Sequence, residues 1–251
     1  MKQTPEIEIR ECKTVKELTD CVHLQREVFA LPELEISPVR HFVVTHHAGG
    51  FTLGAYFQEK LVGFTLSVPA ILRGEKAFYS HMTAVDKNFQ SHGVGAKLKW
   101  KQREKSLEED IKFIKWTFQP VMARNAYFNL EKLGAVIKEY KPNFYGTDYP
   151  GSSGQSEKPG LDSDRLFAEW QLESEKVKTL AKGGEFVEKR EIVSKIEIPN
   201  EWNNLVKSNP QKAVAEQNRI KVEFQTAFSK SLICCGFERD ELHPKFLFCN
   251  E

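Results

Sequence analysis

QSHGVGAKLKW, Gln90 to Trp100, sets two glycines one residue apart behind Gln-Ser-His and runs straight into lysines and a tryptophan. The stretch before it, KAFYSHMTAV (Lys76 to Val85), reads as a strand, and after it Ala96, Trp100, Leu107 and Ile111 are spaced to share one helical face, interrupted by Arg103 and Glu104. A strand, a glycine-rich turn and a helix gather free backbone N–H groups and the positive end of a helix dipole at one point, a natural seat for phosphate. Spacing excludes two phosphate loops. After Gly93-Val94-Gly95 a dinucleotide fingerprint requires glycine where Leu98 stands, and a Walker loop requires Lys-Ser or Lys-Thr after its second glycine.

Upstream, Ile7 and Ile9 alternate with charges as a short strand. Thr14-Val15-Lys16-Glu17 then has capping-box form ahead of Leu18, Cys21, Val22, Leu24 and Val28 at helical spacing. Pro32 and Pro38 break that pattern, and Gly49-Gly50 leads into two strands, FTLGAYF and LVGFTLSVPAI, joined by a polar turn at Gln58-Glu59-Lys60. Downstream, Ile114, Trp116 and Phe118 alternate as a strand. Pro120 opens a helix whose stripe Ala123, Ala126, Tyr127, Leu130 and Leu133 ends at Gly134, and Ala135 to Tyr140 reads as the next strand. This order is a mixed α/β domain.

From Pro150 the composition changes: PGSSGQSEKPG is turn-rich and polar and marks a flexible loop or subdomain boundary, giving a core over residues 1–150 and an extension over 151–251. In the extension Leu166, Ala168, Trp170 and Leu172 alternate on one strand face. Lys176 to Glu197 is charged and ambiguous. Ile220, Phe224, Ala227, Phe228 and Ser231 mark a long amphipathic helix with Gly236 as its stop, and FLF near the end is a last strand.

The composition is that of an ordinary soluble globular protein, and a formal net charge of +1 gives no electrostatic footprint for nucleic acid. Lys97, Lys99, Lys101, Arg103 and Lys105 could form a basic helix face, yet Glu108-Glu109-Asp110 follows at once and such a face is ordinarily solvated. No apolar run approaches the roughly 20 residues of a membrane span, and the N-terminus lacks a signal-peptide core, so the expectation is a cytoplasmic protein without a membrane or nucleic-acid partner. Five cysteines without Cys-x-x-Cys spacing argue against a zinc knuckle and a disulfide framework, and His46-His47 lacks companion ligands, so no metal is expected. Cys234-Cys235 reads as helix-end packing.

Val85, Phe89, Gln90, Gly93, Val94, Gly95 and Leu98 stand in register with the pyrophosphate loop of the GNAT superfamily of N-acetyltransferases, in which Gln/Arg-x-x-Gly-x-Gly/Ala follows an aliphatic strand end and opens a helix. The chain resembles that superfamily from about Ile7 to Tyr145. The resemblance implies a mixed, mostly antiparallel sheet flanked by helices, and an acyl-coenzyme A thioester, acetyl-CoA or another, as cosubstrate. Its pyrophosphate would be held by the main-chain amides of Gln90, Ser91, His92, Gly93, Val94, Gly95 and Ala96, and its pantetheine arm would run beside the end of the strand at Met82, Ala84 and Val85. The superfamily continues with a helix reading Asn-x-x-Ala-x-x-x-Tyr-x-x-x-Gly-Phe, onto which Ala126, Leu130, Gly134 and Ala135 fall. Leu130 thus occupies the position of a tyrosine that often protonates the departing thiolate. WTFQPVMARNAYFNLEKLGA with SDRLFAEWQL looks like a branch of predicted acyltransferases within the superfamily, one that brings no known substrate.

Acyl transfer needs an uncharged nucleophile, a destination for its proton and donors for an oxyanion. The backbone amides near Met82 to Ala84 could supply the donors. On YSHMTAV the strand period puts Tyr79, His81 and Thr83 on one face, with His81 as the proton acceptor against the plainer role of a hydrogen-bonded structural histidine. Tyr127 is a substitute acid, or core packing. Arg124, Asn125 and Asn129 are polar interruptions of their helix; Asn125 and Asn129, one turn apart, could hydrogen-bond the cofactor together, or face solvent. His92 contributes backbone rather than ring. Arg165, flanked by Asp162 and Asp164, could bind an acidic acceptor or coenzyme phosphate, or sit in a surface ion pair, and Trp170 is core. The expected activity is direct acyl transfer to a small-molecule acceptor, an amine foremost. The alternative is a non-catalytic acyl-CoA sensor or scaffold, motivated by the missing tyrosine. A homodimer is left open.

Overall fold

The computed structural model describes residues 6–146 and 161–251. The turn-rich stretch from Pro150 to Gly160 lies outside the described residues. The chain forms two compact units, one up to Lys115 and one from Trp116 onward. No helix among the described residues is long and apolar enough to cross a membrane.

The first unit opens with β1 (Glu8–Glu11) and α1 (Val15–Phe29). The capping box forms as its residues require: Thr14 Oγ1 accepts from the Glu17 N–H at 3.2 Å and Glu17 Oε2 accepts from the Thr14 N–H at 2.9 Å. A 3₁₀ turn (Glu33–Glu35) leads to α2 (Val39–His47), a helix that the two prolines concealed; Pro38 is its N-cap rather than a break. Then come β2 (Phe51–Phe57), β3 (Lys60–Leu72) and β4 (Glu75–Val85) in an antiparallel meander with β1. Gln58 and Glu59 form the two-residue hairpin turn, both at positive φ (47° and 64°).

β3 is buried on both faces because helices lie on each. Phe64 and Leu66 join the core built on Leu18, Val22 and Phe42 of α1 and α2, while the alternate residues Thr65 and Ser67 face the side on which α3 (Val94–Glu108) packs. Gly63 permits that approach, since a Cβ there would lie 3.2 Å from Leu98 and 3.3 Å from Val94. The buried face of α3 differs from the expected one. It is Val94, Leu98, Lys99, Gln102 and Ser106 rather than Ala96, Trp100 and Leu107. The reason is complementarity: the sheet offers hydroxyl groups here, so the helix turns polar side chains inward.

The first unit closes on β5 (Phe113–Phe118), which runs parallel to β4, and the second unit takes over within this strand. Next comes α4 (Ala123–Tyr127), which widens into a π turn (Phe128–Lys132) closed by Leu133 N–H to Phe128 C=O at 3.0 Å. Then follow β6 (Val136–Lys141), β7 (Arg165–Gln171), α5 (Glu175–Ala181), β8 (Ser194–Glu197), α6 (Trp202–Ser208), α7 (Pro210–Ser229), β9 (Leu232–Glu238) and β10 (Lys245–Asn250). The strands of this unit are ordered β5-β7-β6-β9-β10-β8, so the C-terminal strands extend the sheet from β6. Phe224 of α7 packs its ring 5.5 Å from Tyr140 and 5.0 Å from Phe246, which seats the helix on that sheet.

Gly236 does not stop α7, which ends at Ser229; it lies inside β9. A Cβ there would meet Glu131 Oε1 at 3.2 Å, the oxygen that accepts from the Phe237 N–H at 2.6 Å. Close approach, rather than helix termination, accounts for that glycine. Cys234 and Cys235 are therefore buried strand residues, not helix-end packing.

Candidate functional site

β3 and β4 pair in register up to Leu66↔Met82 and resume at Ser67↔Ser80, leaving His81 as an extra residue on β4. This is a β-bulge, a device that re-aims side chains. It corrects the expectation that Tyr79, His81 and Thr83 share a face. His81 and Met82 both turn toward α1 and α2, the side that Tyr79 shares with its partner Val68; Thr83 lies on the opposite side, its hydroxyl 2.8 Å from that of Thr65. Thr65 also donates to the Met82 carbonyl at 3.3 Å, pinning the strand next to the bulge.

His81 Nε2 lies 3.3 Å from Ser37 Oγ, and its ring meets that of His41 edge to face at a centroid distance of 5.4 Å. Desolvation by the surrounding protein, reinforced by His41, pushes the His81 pKa below the ordinary imidazole value. A histidine so placed is neutral at pH 7 and can accept a proton. Ser37 is held by Gln25 of α1, which is 1% exposed; oriented to satisfy both ends, its amide oxygen accepts from the Ser37 N–H at 2.9 Å and its NH₂ donates to the Ser37 carbonyl at 3.3 Å. Sequence reasoning missed Gln25, Ser37 and His41. Ser37 and His41 lie beside and within a helix hidden behind Pro38, Gln25 is a polar residue on the buried face of α1, and no local pattern joins any of them to a strand forty or more residues on.

On the α3 side of the same strand lies a buried polar network. Lys99 Nζ donates to Gln102 Oε1 at 2.6 Å and to Ser80 Oγ at 3.1 Å, and Gln102 Nε2 donates to Ser67 Oγ at 2.7 Å. Burial drives the Lys99 pKa well below the usual lysine value. The network ties α3 to the residue just before the bulge.

The loop after β4 is built by its own side chains. Asp86 Oδ1 accepts from the Asn88 N–H at 2.8 Å, Gln90 Nε2 donates to the Val85 carbonyl at 3.0 Å, and His92 Nδ1 pairs with the Gln90 carbonyl at 2.8 Å. The chain turns through left-handed Ser91 (φ 66°) and Gly93 (φ 79°). α3 begins at Val94 without a side-chain cap and without an acidic residue in its first turn, and its first internal bond is Lys97 N–H to Gly93 C=O at 3.0 Å. The amides of Val94, Gly95 and Ala96 precede that bond and fall at the positive end of the helix dipole. Gly95 is not required by packing, since a Cβ would reach only Val85 at 3.9 Å. It leaves room for a ligand to approach the backbone. A diphosphate fits this donor set, as does an extended chain along β4, which pairs with β5 only at Phe78↔Ile114 and Tyr79↔Lys115 and so leaves its outer edge from Ser80 to Val85 unused by that pairing. Ala84 is buried against Phe64, so only its backbone is on offer.

In the second unit, Asn129 is buried and accepts from Trp116 Nε1 at 3.3 Å, whereas Asn125 is exposed, so these two are not brought together. Leu130 is 0% exposed in the π turn. Tyr127 is half-buried, its ring flanked by Arg239 at 4.8 Å and Lys132 at 5.5 Å. Arg124 is exposed. Arg165 is buried with its guanidinium 5.0 Å from the Tyr145 ring, while Asp162 pairs with Lys221 at 2.6 Å and Asp164 accepts from the Tyr140 hydroxyl at 2.5 Å. Trp170 is core, donating to the Leu133 carbonyl at 2.7 Å. In the first unit His46 Nε2 pairs with Thr52 Oγ1 at 2.8 Å.

No family model and no curated protein matches the chain. Solved structures do. The ribosomal-protein-S18-alanine N-acetyltransferase of Escherichia coli superposes with a TM-score of 0.52 at 15% identity, covering 67% of this chain and 96% of that one. A GNAT-family protein from Desulfovibrio desulfuricans gives 0.53 at 14% identity over 66% and 99%. Arabidopsis thaliana Naa50, solved with the bisubstrate analogue CoA-Ac-MVNAL, gives 0.50 at 15% identity over 65% and 97%. The chain carries the GNAT fold.

Proposed function

We propose that this protein transfers an acyl group, acetyl foremost, from acyl-coenzyme A to a small-molecule amine. The observation that carries the reading is the Gln90–Ala96 loop, whose left-handed turn opens α3 with uncapped amides directly after a bulged strand bearing His81. The GNAT fold of the chain and the bisubstrate analogue bound by a neighbour of that fold support it.

In this reading the amides from Gln90 to Ala96 receive the pyrophosphate, and the outer edge of β4 from Met82 to Val85 receives the pantetheine arm. The thioester supplies an activated acyl carbon. Bulging at His81 frees strand backbone beside the reacting carbonyl, and amides there are suited to an oxyanion. His81, neutral at pH 7, takes the proton the amine loses as its bond to the acyl carbon forms. Overall a C–N bond replaces a C–S bond, and the thiol leaves with that proton. Tyr79 lies on the same face as a polar neighbour. Leu130 has no proton to give; Tyr127, bracketed by two cations, is the phenol nearest to it in sequence. Among the described residues all the cysteines are buried thiols, which favours direct transfer over a covalent enzyme intermediate.

The buried Leu130 favours one other reading, a sensor that binds acyl-CoA and performs no transfer. Free-thiol release from acetyl-CoA across an amine panel separates the two. Amine-dependent release is expected; tight coenzyme A binding with no release from any amine would establish the sensor instead.

A further inference from the structure

The buried network on the α3 side of β4 has a direction. A hydroxyl oxygen carries one proton and two lone pairs. Ser80 Oγ accepts from Lys99 Nζ at 3.1 Å and from Gln102 Nε2 at 3.2 Å, which fills both lone pairs, so its own proton goes to Thr65 Oγ1 at 3.5 Å. Thr65 gives its one proton to the Met82 carbonyl at 3.3 Å and so receives that of the Thr83 hydroxyl at 2.8 Å. The chain of donors therefore runs from Lys99 through two hydroxyls to the peptide just beyond the His81 bulge.

The other end of that peptide faces the edge assigned to the thioester. The Asp86 N–H donates to the Val62 carbonyl at 2.9 Å, and bonded and non-bonded pairs alternate along an antiparallel ladder. Counted from that pair, Phe64↔Ala84 and Leu66↔Met82 are bonded pairs and Thr65↔Thr83 is not. The Met82 carbonyl thus points to β3 and the Thr83 N–H to the outer edge of β4, as opposite ends of one planar trans peptide. We propose that Lys99 is a positioning residue for the acyl transfer, setting through Ser80 and Thr65 the plane of the peptide whose Thr83 N–H faces the thioester carbonyl. This rests on the acyltransferase reading and adds to it a residue that touches neither substrate.

Lys99 also orients the rest of the network. Its bond to Gln102 Oε1 at 2.6 Å aims that amide, so that Gln102 Nε2 reaches Ser67 Oγ at 2.7 Å as well as Ser80. Lys99, Gln102, Ser67, Ser80 and Thr65 are all buried, so solvent does not stand in for a lost donor. Burial favours the neutral amine, and the residue acts as a donor rather than as a charge. Without it one lone pair of Ser80 opens, and the Met82 carbonyl must share the Thr65 proton with that oxygen.

The test uses the full chain with acetyl-CoA labelled with ¹³C at the acetyl carbonyl. In wild type the infrared stretch of the bound carbonyl should lie below its free position. In Lys99→Met and Thr65→Val it should move back, and Lys99→Gln and Thr65→Ser, which keep a donor, should restore it in part. With the amine that wild type acetylates fastest, Lys99→Met and Thr65→Val should each lower kcat about tenfold while the KM for acetyl-CoA stays within about twofold. The double variant should fall little further than the worse single, whereas independent effects would multiply to about a hundredfold. A network that only supports the fold would lower the yield of folded protein and leave the carbonyl band and kcat per coenzyme A site unchanged. That result, or a multiplicative loss, overturns the proposal, and if Lys99→Met fails to fold, the comparison of Thr65→Val with Thr65→Ser decides it. Absence of amine-dependent thiol release from wild type would instead sink the acyltransferase reading, and the positioning role with it.

Discussion

At the scale of single residues, His81 and Lys99 occupy opposite sides of one strand, and loss of hydration shifts both in the same direction, although His81 keeps an exposed edge and Lys99 is enclosed. The folded-state pKa of His81 lies below the ordinary value of about 6.5, so its neutral form persists to lower pH than in a free imidazole. The acid limb of kcat/KM should therefore fall below pH 6.5. His81→Gln should lower kcat by about 10²- to 10⁴-fold and abolish that limb while coenzyme A affinity is unchanged. A retained limb would assign it to another group. For Lys99, folding depresses a pKa that is near 10.4 in the unfolded chain, so between the folded value and about 10.4 the unfolded chain binds more protons. Stability should rise with pH across that window, by up to about 1.4 kcal/mol per unit, and level off above it. Denaturant midpoints at pH 7, 8 and 9 should show the rise in wild type and a flatter profile in Lys99→Met. His81 was legible as a candidate because its strand and the loop beside it are local patterns. The partners that define its chemistry, Ser37 and His41, were not, since only the folded chain brings them to it.

Elements were legible where the sequence carries local chemistry for their ends. The Thr14–Glu17 capping box fixed the start of α1, and Thr14→Ala should cost about 1 kcal/mol in a thermal or denaturant melt. Gly93 ended the turn before α3 as expected. Its Cβ position is open, so Gly93→Ala isolates backbone conformation from packing and should destabilise by about 1 kcal/mol through its positive φ alone. What escaped was tertiary in origin. α2 hid behind Pro38, the buried face of α3 was chosen by the hydroxyls of β3 and β4, and the bulge at His81 shows only in the pairing with Leu66 and Ser67. A period-two reading of YSHMTAV has no means of detecting an inserted residue, and so Thr83 was placed on the wrong face.

At the scale of the whole chain, the order of strands and helices through β6 was readable because each element has its own period and each connection its own turn residues. The extension was harder. Lys176 to Glu197, where most of α5 and all of β8 lie, is dominated by charge, and α7 was read past its end because Gly236 resembles a helix stop when its neighbour Glu131 is unknown. The central claim, that the loop after β4 holds an acyl-coenzyme A thioester through its backbone, is tested most directly by titrating coenzyme A into wild type and Gly93→Glu in a calorimeter. A carboxylate placed among the amides meant for phosphate should weaken binding at least about a hundredfold, roughly 2.7 kcal/mol, with the fold retained by circular dichroism. Equal affinity in the two proteins would contradict the assignment of the loop.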